Sequence, residues 1–208
     1  MRASHVHRKR GFGRMRSSDV SAGFQSVASS RQGRGAGSGI SATQLLFGKL
    51  LPEDGNGAMD MTWVTGRIAV GGGIWNEENM AKVAREGISH IINMQIEFDD
   101  TALAEPHGVE VLWNPIDDDF QPKPAAVFQR GVDFAIEALD QPGTKVFIHC
   151  AAGVHRAPMM ALALLCTLGW TLKAALRLIE TRRPQADFAV VYVRSVERFL
   201  EGYATARK

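Results

Sequence analysis

Short apolar runs alternate with longer amphipathic stretches through most of this chain. The runs from Ser89 to Met94, from Val109 to Trp113 and from Val146 to Ile148 are short and contain β-branched residues, which favours buried strands. Between them, apolar positions recur at the spacing of one helix face. The predicted helices run from Asn76 to Glu86, Pro124 to Leu139, Ala157 to Gly169, Thr171 to Thr181 and Asp187 to Gly202. This alternation predicts an α/β fold with a central, mostly parallel sheet of about four to five strands flanked by helices.

Local signals mark the ends of several of these helices. Asn76 has a side chain suited to an N-cap, and Gly87 lies where a glycine can end the same helix. Pro184 separates the last two helices, because proline cannot continue a helix. Arg182 and Arg183 could attract an anionic substrate, but the dipole of the helix that ends there is the simpler explanation for both.

A loop of small residues joins the strand that ends near Ile148 to the helix predicted from Ala157. The segment reads His149, Cys150, Ala151, Ala152, Gly153, Val154, His155 and Arg156. Cys150 is a candidate nucleophile, and Arg156 can bind phosphate oxygens through its fork of N–H donors. The backbone N–H groups between them and the positive end of the next helix favour an anion at the same point. The pattern therefore indicates a phosphoryl group attacked by sulfur.

The residue types in this loop suit that chemistry. A cysteine attacks as the thiolate, which a helix N-terminus, converging amides and a guanidinium group stabilise. The small residues from Ala151 to Val154 allow the backbone to approach a ligand closely, and Gly153 permits a dihedral that residues with a Cβ avoid. We therefore expect residues 151–155 to bind the substrate and Arg156 to complete the ring around it.

Three side chains in and near the loop each have two interpretations. His149 is expected to shape the loop through hydrogen bonds, the alternative being a plain histidine at a strand end. His155 could touch the substrate or point to solvent, and the sequence leaves this open. Cys166 lies in an apolar helix and is expected to pack in the core, although it could instead be a resolving thiol for an oxidised Cys150.

The segment from His149 to Arg156 matches the His-Cys-x5-Arg signature, so the chain resembles the cysteine-dependent phosphatases, and its surroundings are similar to their dual-specificity branch. The resemblance covers roughly Met59 to Leu200, and Trp63 to Gly73 resembles the opening strand pair of that family. It implies a metal-independent phosphomonoester hydrolase with a phosphocysteine intermediate and no cofactor. The implied substrates are phosphotyrosine and phosphoserine or phosphothreonine on proteins.

The same resemblance implies a general acid on a loop upstream of the nucleophile. In the family, this aspartate lies in a Pro-(Val/Ile)-x-Asp pattern about thirty residues before the cysteine. The sequence Pro115-Ile116-Asp117-Asp118 fits the pattern and places Asp118 32 positions before Cys150. Asp118 is therefore expected to be the acid. Asp117 and Asp119 remain alternatives, because one sequence does not set the register of a loop.

One residue departs from the family pattern. The family usually has Ser or Thr directly after the arginine, and this chain has Ala157. The missing hydroxyl would steady the thiolate as it leaves the intermediate, so the departure predicts slow turnover or accumulated phosphoenzyme. It also allows a slow or inactive module that recognises phosphate. The run around it resembles the loop of plant starch-phosphate phosphatases, which makes a glucan another possible substrate.

The first fifty residues differ sharply in composition from the rest. They hold nine Lys or Arg but one acid, Asp19, together with many serines and glycines. Such a segment cannot bury enough apolar surface to offset the entropy of ordering it. Residues 1–57 are therefore predicted to be a disordered tail on a catalytic domain, residues 58–208. The tail could be a targeting peptide, could bind anionic surfaces, or could be dispensable if Met59 or Met61 is the true start, which we favour.

Charge and composition narrow the possible partners. Of the 24 Lys and Arg and 22 Asp and Glu, the first fifty residues hold nine and one, which leaves 15 and 21, or about −6, for the remainder. An acidic domain argues against a nucleic-acid partner. No apolar run approaches the ~20 residues that a membrane-spanning helix needs. The six histidines are scattered, with no metal-ligand spacing. The two cysteines suit the reducing cytoplasm, and we expect a monomer.

Overall fold

Five short strands form the central sheet of the computed structural model, which describes residues 59–206. They are β1 (Met61–Trp63), β2 (Ile68–Gly71), β3 (His90–Asn93), β4 (Glu110–Trp113) and β5 (Val146–His149). Their order across the sheet is β1-β2-β5-β3-β4, with β1 antiparallel to β2 and the other neighbours parallel. The predicted α/β fold with a mostly parallel sheet is confirmed. The predicted tail, residues 1–57, lies outside the described residues.

Six helices cover the two faces of the sheet within the same described range. They are α1 (Glu77–Arg85), α2 (Thr101–Ala104), α3 (Ala125–Asp140), α4 (Arg156–Thr167), α5 (Leu172–Arg182) and α6 (Val190–Ala206). Helices α3 to α6 contribute to the larger apolar cluster, and α4 contacts each of the other three. Helices α1 and α2 contribute to a smaller cluster on the opposite face. The strands thus lie between two helical layers.

Strand β5 lies at the centre of this arrangement. It pairs with β2 on one side and β3 on the other, and all four of its residues are buried. Val146 and Ile148 belong to the larger apolar cluster and Phe147 to the smaller, because successive side chains of a strand lie on opposite faces. Cys150, directly after this strand, is thereby placed at the middle of the carboxyl edge of the sheet.

Helix α4 is enclosed by its neighbours, which explains why its sequence is apolar nearly all round. Ten of its 12 residues are buried. Met159 and Met160, near its start, belong to the larger cluster. The end signals of α1 also act as the sequence predicts: the side chain of Asn76 accepts a hydrogen bond from Asn79 N at 2.9 Å, and Gly87 has a φ of 80°.

The structure corrects the expected boundaries and burial of three segments. The strand predicted to be buried over Val109–Trp113 is the edge strand β4, and Trp113 is 44% exposed. No helix is predicted between the strands Ser89–Met94 and Val109–Trp113, but the stretch Glu97–His107 contains α2 and a 3₁₀ turn. The last helix begins at Val190 instead of Asp187. The N–H of Asp187 donates to the carbonyl of Val154 at 2.9 Å, so this residue serves the nucleophile loop instead of the helix.

A glycine in the middle of α3 allows that helix to pack closely against α4. A Cβ built on Gly131 would lie 2.6 Å from the Sδ of Met160 and 3.5 Å from the Nδ2 of Asn114. Glycine in a helix interior costs about 0.5–1 kcal/mol relative to alanine. Its presence here is explained by the close approach of the two helices.

We predict that Gly131→Leu lowers the free energy of unfolding by about 1–3 kcal/mol, since the larger side chain overpacks the contact with Met160. Gly131→Ala should change it far less, because the flexible end of Met160 can move while the helix gains propensity. Gly202→Leu in α6 is the matched control, since a Cβ on Gly202 meets nothing within 4 Å. Equal effects of the two leucine substitutions in urea unfolding would contradict the packing argument.

Candidate active site

The carbonyl groups of the loop after β5 are held by the surrounding protein. Gly73 N donates to Ala151 O at 3.1 Å and Asp187 N to Val154 O at 2.9 Å. Within the described part of the chain, the backbone N–H groups of residues 151–156 donate to no protein acceptor. With its carbonyls engaged elsewhere, the loop keeps its amides available to an anion, and the N-terminus of α4 adds its dipole to them.

Arg183 is the largest fully buried side chain in the described residues, and it forms a hydrogen bond to this loop from the protein interior. Its Nε donates to Gly153 O at 2.7 Å, and its Nη1 and Nη2 donate to the two carboxylate oxygens of Asp60 at 2.8 and 2.6 Å. Its fork also reaches Thr62 Oγ1 at 3.2 Å. The interpretation that Arg183 complements a helix dipole or attracts substrate is therefore wrong. All of this guanidinium group is used inside the protein.

The close approach of Arg183 also explains why the loop has a glycine at position 153. Gly153 has a φ of 64°, in the left-handed region that favours glycine. A Cβ at this position would lie 2.2 Å from the Nη2 of Arg183 and 2.5 Å from the carbonyl oxygen of Gly71. Neither backbone conformation nor space allows a side chain here.

Arg156 and Glu97 form a bidentate ion pair beside Cys150. Nη1 and Nη2 of Arg156 donate to the two carboxylate oxygens of Glu97 at 2.9 and 2.8 Å, and Nη1 also reaches Ile116 O at 3.2 Å. The Nε of Arg156 is buried and has no hydrogen-bond partner among the described residues. Arg156 itself is 3% exposed, and Cys150 is 1% exposed. The guanidinium group is thus fixed in orientation while one N–H remains available to a ligand.

The charges of this pair stabilise each other. Burial is the largest single influence on Glu97 and disfavours its charge. The hydrogen bonds and positive charge of Arg156, together with backbone hydrogen bonds from Glu97 and Ile96, outweigh burial and hold the pKa of the Glu97 carboxyl below its usual range. Burial also disfavours the charge of Arg156, and the hydrogen bonds to Glu97, with Cys150 and Asp118 nearby, raise its pKa above the usual value. Glu97 was not predicted to be a site residue, because its loop carries no motif of its own.

The structure separates the three adjacent aspartates. Asp118 Oδ2 lies 3.8 Å from the Nε of Arg156 and 3.0 Å from the Nδ1 of His155. Asp119 pairs with Lys123, and hydrogen bonding to Lys123 lowers the pKa of the Asp119 carboxyl. Asp117 is exposed and accepts a hydrogen bond from Asp118 N at 2.8 Å. Of the three carboxyl groups, Asp118 is the one beside the loop.

His149 contacts a carboxylate instead of the loop. Its ring is fully buried and stacks on Phe147 with a centroid distance of 5.3 Å. Its Nε2 lies 2.9 Å from Oδ2 of buried Asp100, without hydrogen-bond geometry, and its Nδ1 has no partner in the described residues. The hydrogen bonds predicted from His149 to the loop are not formed. The polar neighbour of the His149 ring is instead Asp100, whose Oδ1 accepts a hydrogen bond from Asn93 Nδ2 at 2.9 Å.

The remaining cysteine packs as the sequence suggests. Cys166 is half-buried against the larger apolar cluster, and burial raises the pKa of its thiol to about 11.

Residues 59–206 contain no group of three or more His, Cys, Asp or Glu side chains that could hold a metal ion. Over the same range, none of the helices is both long and apolar enough to cross a bilayer.

Comparisons with known proteins agree on one family. The family model of the dual specificity phosphatase catalytic domain matches residues 74–199, well over half of the chain. Dual specificity protein phosphatase 5 of Rattus norvegicus is 38% identical over 72 residues, which is 34% of this chain and 18% of that protein. Dual specificity protein phosphatase 26 of Rattus norvegicus is 32% identical over 108 residues, or 50% of this chain and 51% of that protein. The chain thus spans about half or less of the length of these relatives.

A solved structure gives the same result for the fold. The crystal structure of PTPMT1 in complex with PI(5)P superposes with a TM-score of 0.65 over 72% of this chain and 99% of that one. The two sequences are 19% identical over this alignment. At that identity, the likeness establishes the fold alone.

We predict that Arg183→Met lowers the free energy of unfolding by about 1–3 kcal/mol, because it leaves the buried Gly153 carbonyl without its donor, while half-exposed Asp60 is solvated by water. Arg183→Lys should be intermediate, since an ammonium group cannot reproduce the fork. Arg182→Met is the matched control: this neighbour is exposed, and we expect a change within about 0.5 kcal/mol. Equal stability of the two methionine variants in denaturant unfolding would contradict the role of Arg183.

Proposed function

This chain belongs to the dual specificity phosphatase catalytic-domain family, and we propose that it hydrolyses phosphomonoesters on proteins, without a metal, through a phosphocysteine intermediate. The observation that carries the proposal is the arrangement around Cys150. The thiol lies between uncommitted backbone amides and a guanidinium group whose free Nε is 3.8 Å from a carboxyl oxygen of Asp118. A phosphoryl group bound there meets a nucleophile, a positive clamp and an acid together.

In the first half-reaction, the phosphate would bind to the amides of residues 151–156 and to the Nε of Arg156. The Cys150 thiolate attacks phosphorus, an S–P bond forms, and the bond from phosphorus to the leaving oxygen breaks. Asp118 gives its proton to that oxygen, so the product leaves as a neutral alcohol or phenol. The fixed amides and Arg156 stabilise the charge on the transferring group.

In the second half-reaction, water would displace the thiolate. Asp118, now a carboxylate, takes a proton from the water as its oxygen attacks phosphorus. The S–P bond breaks, the electron pair returns to sulfur, and phosphate is released. The acid and the base are thus the same group, used on the same side of the phosphorus in turn.

The substrate class rests on the surroundings of this loop. The relatives are named dual specificity protein phosphatases, which supports phosphotyrosine and phosphoserine or phosphothreonine of proteins as substrates. The two loops that bear Glu97 and Asp118 also bear exposed apolar side chains, Ile96 at 49% and Phe120 at 53%. These side chains would favour a peptide or an aromatic leaving group over a strongly polar glucan.

Both cysteines are free thiols, which supports a reducing compartment such as the cytoplasm.

A second candidate function is supported by Ala157. This residue is fully buried in the first turn of α4, directly after Arg156, and it offers no hydroxyl to the departing thiolate. A protein that binds a phosphoryl group in this loop but turns it over slowly or not at all would act as a phosphate-recognition module. The pair of Cys150 with Asp118 favours the enzyme.

We predict that Cys150→Ser lowers turnover of a small aryl phosphate, measured with a chelator present, by at least ~10³-fold. Vanadate should still bind, because the amides and Arg156 remain. Cys166→Ala is the matched control and should retain activity, since its thiol packs against the apolar core. Turnover by Cys150→Ser equal to that of the wild type would refute the mechanism. Vanadate binding without wild-type turnover would favour the recognition module, and a panel of phosphopeptides, phosphoglucan and PI(5)P would identify its ligand.

We further predict that Ala157→Ser raises kcat by up to about 10-fold, because the added hydroxyl stabilises the leaving thiolate. The burst of the released phenol should shrink relative to the wild type. Ala161→Ser, one turn further along α4 and equally buried, controls for the cost of placing a hydroxyl in this helix. An unchanged burst and an unchanged kcat would contradict this account of Ala157.

A further inference from the structure

Two residues outside the motif of the general acid hold the Asp118 carboxyl group. The hydroxyl of Tyr192 donates to Asp118 Oδ1 at 2.9 Å, and Nδ1 of His155 lies 3.0 Å from Oδ2. Tyr192 comes from α6 and His155 from the nucleophile loop, so the Asp118 carboxyl group is contacted by two separate elements. The Asp118 side chain is 29% exposed, so most of its surface contacts protein groups and not water.

The direction of the hydrogen bond from Tyr192 follows from its other partner. The N–H of Phe120 donates to the Tyr192 oxygen at 2.9 Å. A backbone N–H can only donate, so the hydroxyl accepts there and its single proton is directed to Asp118. Burial raises the pKa of Tyr192 to about 12, which keeps that proton in place at neutral pH.

This hydrogen bond distinguishes the two oxygens of Asp118. Oδ1 accepts from Tyr192 whether the carboxyl group is ionised or protonated, so the proton of the acid form belongs on Oδ2. Oδ2 is the oxygen 3.8 Å from the Nε of Arg156, on the side where the phosphoryl group would bind. Tyr192 therefore directs the transferable proton toward the substrate.

His155 is itself held on its far side. Its Nε2 lies 3.3 Å from Oδ2 of Asp187, whose N–H donates to the carbonyl of Val154 at 2.9 Å. Phe120 packs edge-on against the imidazole, with the ring centroids 5.1 Å apart. With its proton on Nδ1, the ring can donate to Oδ2 of Asp118 both as a carboxylate and as an acid, whose own proton then faces the phosphoryl site. The contact is therefore compatible with both states of Asp118.

The whole acid loop is fixed to α6 around this point. Phe120 stacks on Tyr192 with the planes 10° apart, and it has a φ of 57°, a conformation that non-glycine residues rarely adopt. Lys123 N donates to Ser195 Oγ at 3.0 Å, and Lys123 Nζ lies 5.2 Å from the centre of the Tyr192 ring. Tyr192 is 1% exposed, so the anchor is part of the core.

We propose that Tyr192 and His155 are positioning residues that orient the Asp118 carboxyl group for proton transfer in both half-reactions. The inference rests on the proposed phosphatase function and adds the residues that make the acid effective. Neither residue touches phosphorus. Each acts on the rate through Asp118, and its effect should depend on how much the leaving group needs a proton.

The experiment is a leaving-group series of aryl phosphates, from 2,4-dinitrophenyl phosphate to phenyl phosphate, with wild type and Tyr192→Phe. The phenylalanine keeps the ring and its stacking and removes the donor to Asp118. We expect kcat/KM for phenyl phosphate to fall about 10-fold, and for the dinitrophenyl ester less than about 2-fold, since a good leaving group needs no acid. Saturated kcat for the dinitrophenyl ester should still fall wherever hydrolysis of the intermediate, with Asp118 as base, limits turnover.

Two controls separate positioning from structural damage. Tyr203→Phe removes the other tyrosine hydroxyl of α6, about three turns along the helix, and should leave the leaving-group slope unchanged. In an Asp118→Asn background, Tyr192→Phe should cause no further loss, because the two residues act through one carboxyl group. Equal losses of kcat/KM for all esters, or additive losses in the double variant, would overturn the proposal.

His155 is tested by a conservative pair of substitutions. His155→Asn places an amide nitrogen near the position of Nδ1 and should retain more activity on phenyl phosphate than His155→Ala. Identical slopes for both variants and the wild type would remove His155 from the proposal. Failure of the phosphatase function itself looks different: the wild type would then hydrolyse no ester in the series, including the dinitrophenyl ester.

Discussion

The hydrogen bond from Arg183 to the carbonyl of Gly153 is the contact on which the rest of the site depends. An anion-binding loop needs its N–H groups free on one side, and its carbonyls must then be satisfied on the other. Arg183 does this from a fully buried position and is itself neutralised by Asp60, beside β1. The first strand, the end of α5 and the nucleophile loop are thereby joined through one guanidinium group. Glycine is the only residue type that position 153 can hold, because a Cβ there would collide with the guanidinium group.

The position of β5 explains how a largely apolar core supports a charged site. The strand is central and fully buried, so the loop that follows it is held on both sides by β2 and β3. Arg156 is almost fully buried at the start of α4, and its charge is offset by a bidentate pair with Glu97. In such surroundings, electrostatic interactions are stronger than in water, and an incoming phosphoryl group would meet donors that are already oriented.

The acid loop is coupled to the nucleophile loop through side chains from three elements. Tyr192 of α6, His155 of the nucleophile loop and Arg156 of α4 all approach the Asp118 carboxyl group. Asp187 lies before the start of α6 and contacts the nucleophile loop through its backbone N–H and its carboxylate. The strained backbone of Phe120 belongs to the same anchor. A displacement of any one of these elements would therefore alter the orientation of the acid.

The sequence by itself determined the α/β class, most helix positions and the loop from Cys150 to Arg156, because periodicity and a short motif are local properties. The Pro-x-x-Asp pattern also led to Asp118, the aspartate that lies beside the loop. Only the tertiary structure decided the roles of Arg183, Glu97 and Tyr192. Arg183 meets Asp60 across 123 positions and Tyr192 meets Asp118 across 74, and no local pattern encodes such pairs. Their partners are selected by the packing of α5 and α6 against the sheet, which exists only once the chain has folded.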